Sequence, residues 1–252
     1  MAEISIICLI YQSIDYAEFV YNNLIKHTPE ISSGEAEFYF IANDASEEVL
    51  LYLKKNNLPF YINNNYRFSE GELFKMGFAF PEYINRVYRG YNYGISVSES
   101  PIVVLINSDN AFSDGWLANL RSKLSLNTVV SSKLVQPHQF KSPKNGSECV
   151  VFDCGNSIGS FDEVRFLGKV EALKESSTSI GNAFMPLMLY KSQVELVGYY
   201  PEGNLHNGHY DHIRVTGDHE FINRLEAFGI HHVTSNDSIV YHFQEGEKYK
   251  KL

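Results

Sequence analysis

Residues 101–110 read Pro-Ile-Val-Val-Leu-Ile-Asn-Ser-Asp-Asn. The unbroken aliphatic run from Ile102 to Ile106 has no polar alternate face, so it reads as a strand buried on both sides. Such strands lie inside parallel sheets covered by helices. The abrupt change to Asn107, Ser108, Asp109 and Asn110 puts one carboxylate, flanked by amides, at the C-terminal edge of that strand. Ligands of open α/β sheets bind along this edge. Oxygen donors placed there suit a hard divalent cation or a sugar hydroxyl.

The flanking chain repeats the alternation that such a sheet requires. Ile4 to Ile10 is a second apolar strand, followed by a helix from Asp15 to His27. Glu37 to Ala42 is a strand, Glu47 to Asn56 a helix that starts behind Ser46, and Pro59 to Ile62 a short strand. Glu47 and Glu48 follow Ser46, where acids favour a helix N-terminus. Strand and helix in alternation predict a doubly wound, mostly parallel sheet. Right-handed crossovers would then bring Tyr11, Asp44 and Asp109 to one crevice.

Residues 63–87 interrupt the pattern and read as an excursion over that crevice. Gly90 to Glu99 is predicted as a helix. So is Asp114 to Leu124, capped at Ser113 or Asp114, with Trp116, Leu117, Leu120 and Leu124 on its core face. Later come a loop at 142–147, a strand from Gly181 to Tyr190 and a short helix from Ser192 to Val197. A helix from Gly217 to Phe228 has Phe221, Ile222, Leu225 and Phe228 on one face and Gly229 as its C-cap. A last short strand runs from Ser238 to His242, and a charged tail ends the chain.

At 252 residues the chain is one large domain or two small ones. A net charge of -9 argues against a general nucleic-acid binder, which needs a basic face. No segment nears the length of apolar chain that crosses a bilayer. The acidic start Met1-Ala2-Glu3 lacks a signal-peptide pattern, so a soluble, cytoplasmic protein is expected. Cys8, Cys149 and Cys154 lack metal-site spacing and read as reduced, buried thiols. The sequons at Asn145 and Asn236 then carry little meaning. The 17 tyrosines and 17 phenylalanines are mostly core, although tyrosine also lines carbohydrate and nucleoside pockets.

Several local motifs, in order over residues 4–242, resemble the inverting family 2 glycosyltransferases of the GT-A fold. Ile10-Tyr11 matches the end of that family's first strand. Asn43-Asp44-Ala45-Ser46 matches its Asn-Asp-x-Ser run, which implies that Asp44 contacts the nucleotide base. Asn92-Tyr93-Gly94 matches Arg-Asn-x-Gly without the Arg, whose place Arg89 would take. Asn107-Ser108-Asp109 matches the form Asn-Ser-Asp of the central motif. Val197-Gly198-Tyr199-Tyr200-Pro201-Glu202 is similar to Val-Gly-Gly-Phe-Asp-Glu. Gly217-Asp218-His219-Glu220, with Arg224-Leu225 and Gly229, puts Asp218 at the catalytic-base position. His242 falls where a late His completes the metal site.

The resemblance implies one GT-A domain over residues 1–245, with a nucleotide-binding half (1–110), an acceptor-binding half (111–245) and a charged tail (246–252). It implies transfer of a sugar, with inversion, from a UDP-, GDP- or dTDP-sugar to a hydroxyl of a glycan, lipid-linked or protein acceptor. Ile10, Tyr11, Asp44, Asn92, Asn107, Ser108 and Asp109 would bind the donor. Asp109 and His242 would hold Mn²⁺ or Mg²⁺, the imidazole favouring Mn²⁺. Residues 63–87 and 203–216 are expected to shape the acceptor site. Within the latter, His206, His209 and His212 could bind a second metal, and Asp211 is a rival base. Two other functions fit parts of the sequence. A nucleotidyltransferase would want a glycine-rich, basic loop after the first strand, which Tyr11-Gln12-Ser13 does not provide. A degenerate GT-A domain that binds glycan or protein would tolerate Asn107 in place of an acid.

Overall fold

The computed structural model describes residues 2–79, 81–138, 149–181, 184–210 and 212–244. The sequon at Asn145, the 142–147 loop, Asp211 and the charged tail from 246 onward lie outside the described residues.

The first half follows the expected alternation: β1 (Ile4–Ile10), α1 (Ile14–His27), α2 (Pro29–Ser33), β2 (Ala36–Asn43), α3 (Glu47–Lys55) and β3 (Phe60–Asn63). Ser13 and Ser46 cap α1 and α3, each accepting a bond from the backbone N–H three residues on. Then come α4 (Glu70–Lys75), β4 (Phe78–Ala79), α5 (Tyr83–Val97) and β5 (Ile102–Ile106). The second half contains β6 (Asn110–Phe112), α6 (Trp116–Lys123), β7 (Thr128–Gln136), β8 (Val150–Val151), α7 (Glu163–Leu173), β9 (Thr178–Ile180) and β10 (Leu187–Tyr190). It closes with α8 (Lys191–Val197), β11 (Asn204–His206), β12 (Ile213–Val215), α9 (Gly217–Ala227) and β13 (His231–His242).

Among the described residues, one sheet has the path β3-β2-β1-β5-β10-β7-β13-β6. β3, β2, β1 and β5 are parallel, β10 is antiparallel to β5, and β7 pairs in parallel with β13. A smaller sheet, β12-β11-β4, stands apart. Ile4, Ile6 and Cys8 of β1 pack against α1 and α6, whereas Ile7 packs beneath α5. Every side chain of β5 is buried, as its sequence requires.

α5 lies close on the sheet because glycine removes the side chains in between. A Cβ at Gly94 would sit 2.6 Å from Ile7 Cγ2, and one at Gly90 2.9 Å from the Asn43 amide. This helix begins seven residues before the expected Gly90. Its first two turns carry Glu82, Arg86 and Arg89 toward each other, and this polar face hides the apolar period.

Other boundaries also differ from the sequence reading. α6 begins at Trp116 behind Gly115, whose φ of 78° makes it the left-handed N-cap; neither Ser113 nor Asp114 caps the helix. Asp114 instead bonds the buried His27. Phe228 follows α9 and is 59% exposed, so it is not on the core face with Phe221, Ile222 and Leu225. The strand expected from Gly181 covers only Leu187–Tyr190, while the last strand is longer and starts at His231. Its early residues alternate poorly: Val233–Ser235 pair with β7 on one edge and β9 on the other, the register with β7 breaks between Ser235 and Ile239, and the buried polar side chains Thr234 and Ser238 bond Ser131 and Ser132 of β7. Within 203–216, β11 and β12 pair antiparallel, with His206 opposite Ile213. No disulfide joins cysteines among the described residues; Cys8 and Cys154 are buried, and Cys149 is half-buried.

Candidate active site

The parallel strands β2, β1 and β5 end side by side, and a crevice of about 320 Å³ opens at their C-terminal edge. Ile10 and Tyr11 from β1 line it, as do Asn43 from β2 and Asn107, Ser108 and Asp109 from β5. His242, at the end of β13, completes the far wall. β6 pairs with β13 so that Asn110 stands opposite His242, which fixes the distance between the two chain segments.

Asp109 is buried, and its Oδ2 lies 3.2 Å from His242 Nε2. The other ring nitrogen of His242 faces Gln136 Nε2 at 2.9 Å. A second partner of this kind sets the ring's orientation and tautomer. The Gln136 Nε2–H donates to Nδ1, so the neutral ring carries its proton on Nε2, which faces Asp109; a cation bound there would take the place of that proton. Asn107 is positioned from below, because the buried Tyr91 hydroxyl donates to its Oδ1 at 3.0 Å. The Asn107 N–H donates to Asn110 Oδ1, which closes the turn that presents Asp109.

Asp109 and His242 supply two protein donors, and no group of three His, Cys, Asp or Glu able to hold a metal occurs among the described residues. A structural zinc site needs a nearly complete protein shell, so this pair does not fit one. It fits a cation that takes its remaining ligands from substrate phosphates and water. Among the described residues, His206, His209 and His212 form no metal-binding group: the ring of His206 stacks on Phe74, and its two nitrogens face Phe74 O and the Gly208 N–H.

Asp44 lies beside the crevice rather than on its lining. Its backbone is left-handed, with φ 53°, a conformation that costs a residue with a side chain roughly 1–3 kcal/mol. Its carboxylate accepts the Asn65 N–H at 2.8 Å and lies 3.5 Å from Arg86 Nη1. Arg86 itself lines the crevice, 5.8 Å from the centre of the Tyr11 ring, and pairs with Glu82 at 3.0 Å. The cation at the crevice is thus Arg86. Arg89 points away, donating to Tyr66 O at 2.6 Å. Arg86, Tyr83, Tyr91 and Gln136 escaped the sequence reading; a helix register begun at Tyr83 would have put Tyr83, Arg86, Val87 and Tyr91 on one face.

Asn92 is likewise absent from the crevice. Its amide donates to Tyr200 O at 2.9 Å and accepts the Tyr200 N–H at 3.0 Å, so it fastens the turn after α8.

Asp218 stands in the first turn of α9, behind the cap Thr216. The Tyr88 hydroxyl donates to its Oδ2 at 2.9 Å. Burial pushes its carboxyl up to about 6, and the Tyr88 bond opposes that rise. The ring of Tyr200 stacks on both Tyr88 and Phe221, and Tyr91 packs against Tyr200. Burial above all pushes the Tyr91 hydroxyl up, and the charges of Asp218 and Asp109 add to it. Asp218 therefore neighbours the crevice across an aromatic wall and does not line it.

No protein-family description matches this sequence, and no curated protein does. Solved structures do match. S. aureus TarS, residues 1–349, aligns with 96% of this chain at 12% identity and a TM-score of 0.55. The mannosyltransferase PcManGT from Pyrobaculum calidifontis, in complex with GDP-Man and Mn²⁺, aligns with 99% at 13% identity and a TM-score of 0.53. The chain spans 60% and 58% of the lengths of these two structures. No helix among the described residues is long and apolar enough to cross a membrane. The mixed sheet, its flanking helices and these alignments give the chain the GT-A-like fold of glycosyltransferase structures.

Proposed function

We propose that the protein transfers a sugar from a nucleoside-diphospho-sugar to an acceptor hydroxyl with inversion. The observation that carries this reading is the pairing of Asp109 with His242 at the strand edge, with a carboxyl raised to about 6 at Asp218 across the Tyr91–Tyr200 wall. Residues 1–110 make the donor half and residues 111–245 the acceptor half. His242 crosses from the second half to the donor crevice.

Tyr11 and Arg86 offer a ring face and a guanidinium to the nucleotide, and Ile10, Asn43, Asn107 and Ser108 shape the space around it. Asp44 acts one step removed, by holding Arg86 and Asn65. Asp109 and His242 would hold a divalent cation, Mn²⁺ by preference, as in the mannosyltransferase complex. When bound, that cation neutralises charge on the departing diphosphate. Asp218, ionised, takes the proton of the acceptor hydroxyl as that hydroxyl oxygen bonds to the anomeric carbon, so the donor's sugar reaches from the crevice to the Asp218 end of the Tyr91–Tyr200 wall. The bond from that carbon to the phosphate oxygen breaks, and the nucleoside diphosphate leaves with the electron pair. Tyr88 keeps Asp218 Oδ2 oriented and limits how far burial raises its pKa.

Thermal melting with UDP, GDP and dTDP, each with and without Mn²⁺, tests the donor reading. A metal-dependent rise for one nucleotide, lost in Asp109→Ala, is the expected result. No rise with any of them sinks the proposal.

A further inference from the structure

A second cavity, about 420 Å³ in volume, opens on the outer face of α5, and the transfer chemistry above does not use it. That size lies within the range of small-molecule sites. Tyr93 and Ser96 of α5, Asn64 and Tyr66 from the segment after β3, and Tyr199 after α8 line it. Amides, phenols and a hydroxyl give interleaved donors and acceptors beside aromatic faces, the combination that suits a neutral polyol. Arg89 and Glu202 both line it, so the opposite charges leave no net field to select an anion.

The backbone at Tyr199 is a separate observation. Its φ is 66°, in the left-handed region, directly after Gly198 at 83°. Glycine would make this turn freely, whereas a tyrosine there costs roughly 1–3 kcal/mol. The surroundings hold it in place. The Tyr199 N–H donates to Val194 O, and its carbonyl accepts from Arg224. Asn92 clamps both backbone groups of Tyr200. The turn thereby keeps Tyr200 stacked beside Asp218 while Tyr199 lines the cavity.

The two cavities share a wall. Asn43 faces the donor crevice, and its Oδ1 accepts from Asn63 at 2.8 Å and from Asn65 at 2.6 Å, both of which face the second cavity.

We propose that this second cavity binds a neutral sugar unit of the acceptor, remote from the hydroxyl that reacts. Its role as part of the acceptor site rests on the transfer reading; saccharide binding in it does not. The test is calorimetric titration of the full chain with maltotriose, mannotriose and N-acetylchitotriose, on wild type, Tyr199→Gly and Asn64→Ala. At least one trisaccharide binds the wild type, and loss of the Tyr199 ring weakens it about tenfold. Asn64→Ala, an exposed change that cannot disturb packing, weakens it by a smaller factor. Melting curves establish that both variants are folded. The inference is overturned if none of the three binds, or if both variants bind as wild type does. A Mn²⁺-dependent nucleotide response without saccharide binding defeats this inference alone. Saccharide binding lost in Tyr199→Gly, in a protein that never responds to nucleotide, defeats the transfer reading and leaves the site standing.

Discussion

The crevice proposed for the donor and the flank proposed for the acceptor are made differently. The crevice rests on the ends of β1, β2 and β5, three parallel strands whose side chains are almost all buried. The flank rests on the segment after β3, the outer face of α5 and the turn after α8, where side chains such as Asn92 and Arg89 bond backbone groups. A site on sheet ends keeps its geometry through the core; a site of the second kind keeps it through individual bonds and tolerates strain such as that at Tyr199. Chemistry common to many donors can sit on the first, and choice of acceptor on the second.

The sharpest way to break that division is at Asp218, which belongs to the flank by position and to the chemistry by role. Asp218→Asn is expected to lower transfer by about 10²–10⁴-fold, the usual contribution of a positioned base. It should also stabilise the protein. Folding raises the Asp218 pKa, so its protonated form favours the fold at low pH, and that benefit is lost as pH rises through about 6. Asparagine stays neutral, so the variant should melt higher than wild type above pH 6 and equally below pH 4. A variant that melts lower at pH 8 would show that Asp218 is a structural anion instead.

Gln136→Ala probes the crevice alone. If Gln136 orients His242, its loss weakens Mn²⁺ about 10–100-fold, read from the metal dependence of the nucleotide melting shift. An unchanged metal dependence would show that Gln136 does not orient His242 toward the metal.

These two predictions rest on residues of unequal visibility in the sequence. Asp109 was legible because an apolar run stops at it, and Ser46 because a cap precedes acids; both signals are local. Tyr88, Gln136 and Arg86 were not, because their roles depend on partners 130, 106 and 42 residues away. Strands β7 and the start of β13 were missed for a related reason: their buried polar side chains bond one another across the pair, Ser131 with Thr234 and His232, and Ser132 with Ser238, which no local pattern reveals. Asn92 shows the opposite failure. Its motif resembles a donor-site motif, yet the fold uses its amide to hold Tyr200.

Tyr88→Phe separates positioning from proton transfer, with a smaller effect. The Tyr88 bond holds the Asp218 pKa down, so removing it raises that pKa further above 6. The acid limb of the pH–rate profile then moves to higher pH, and the rate at pH 7 falls while the rate at pH 9 approaches wild type. A uniform loss at every pH would instead mean that the ring stack on Tyr200 has collapsed.

Asn92→Ala bears on the comparison most directly and has the smallest expected effect. It removes two bonds to the Tyr200 backbone, one donated and one accepted, and leaves those groups to find water beside a buried ring. Such a loss costs about 1–3 kcal/mol, read as a lower midpoint in urea at unchanged slope. With the clamp gone, the left-handed turn at Tyr199 relaxes, so trisaccharide affinity should fall along with stability. The nucleotide-induced melting shift should keep its size, because Asn92 faces the second cavity and the crevice is built on strands it does not touch. If nucleotide affinity falls and stability does not, Asn92 serves the donor as its motif suggests, and the two regions work as one.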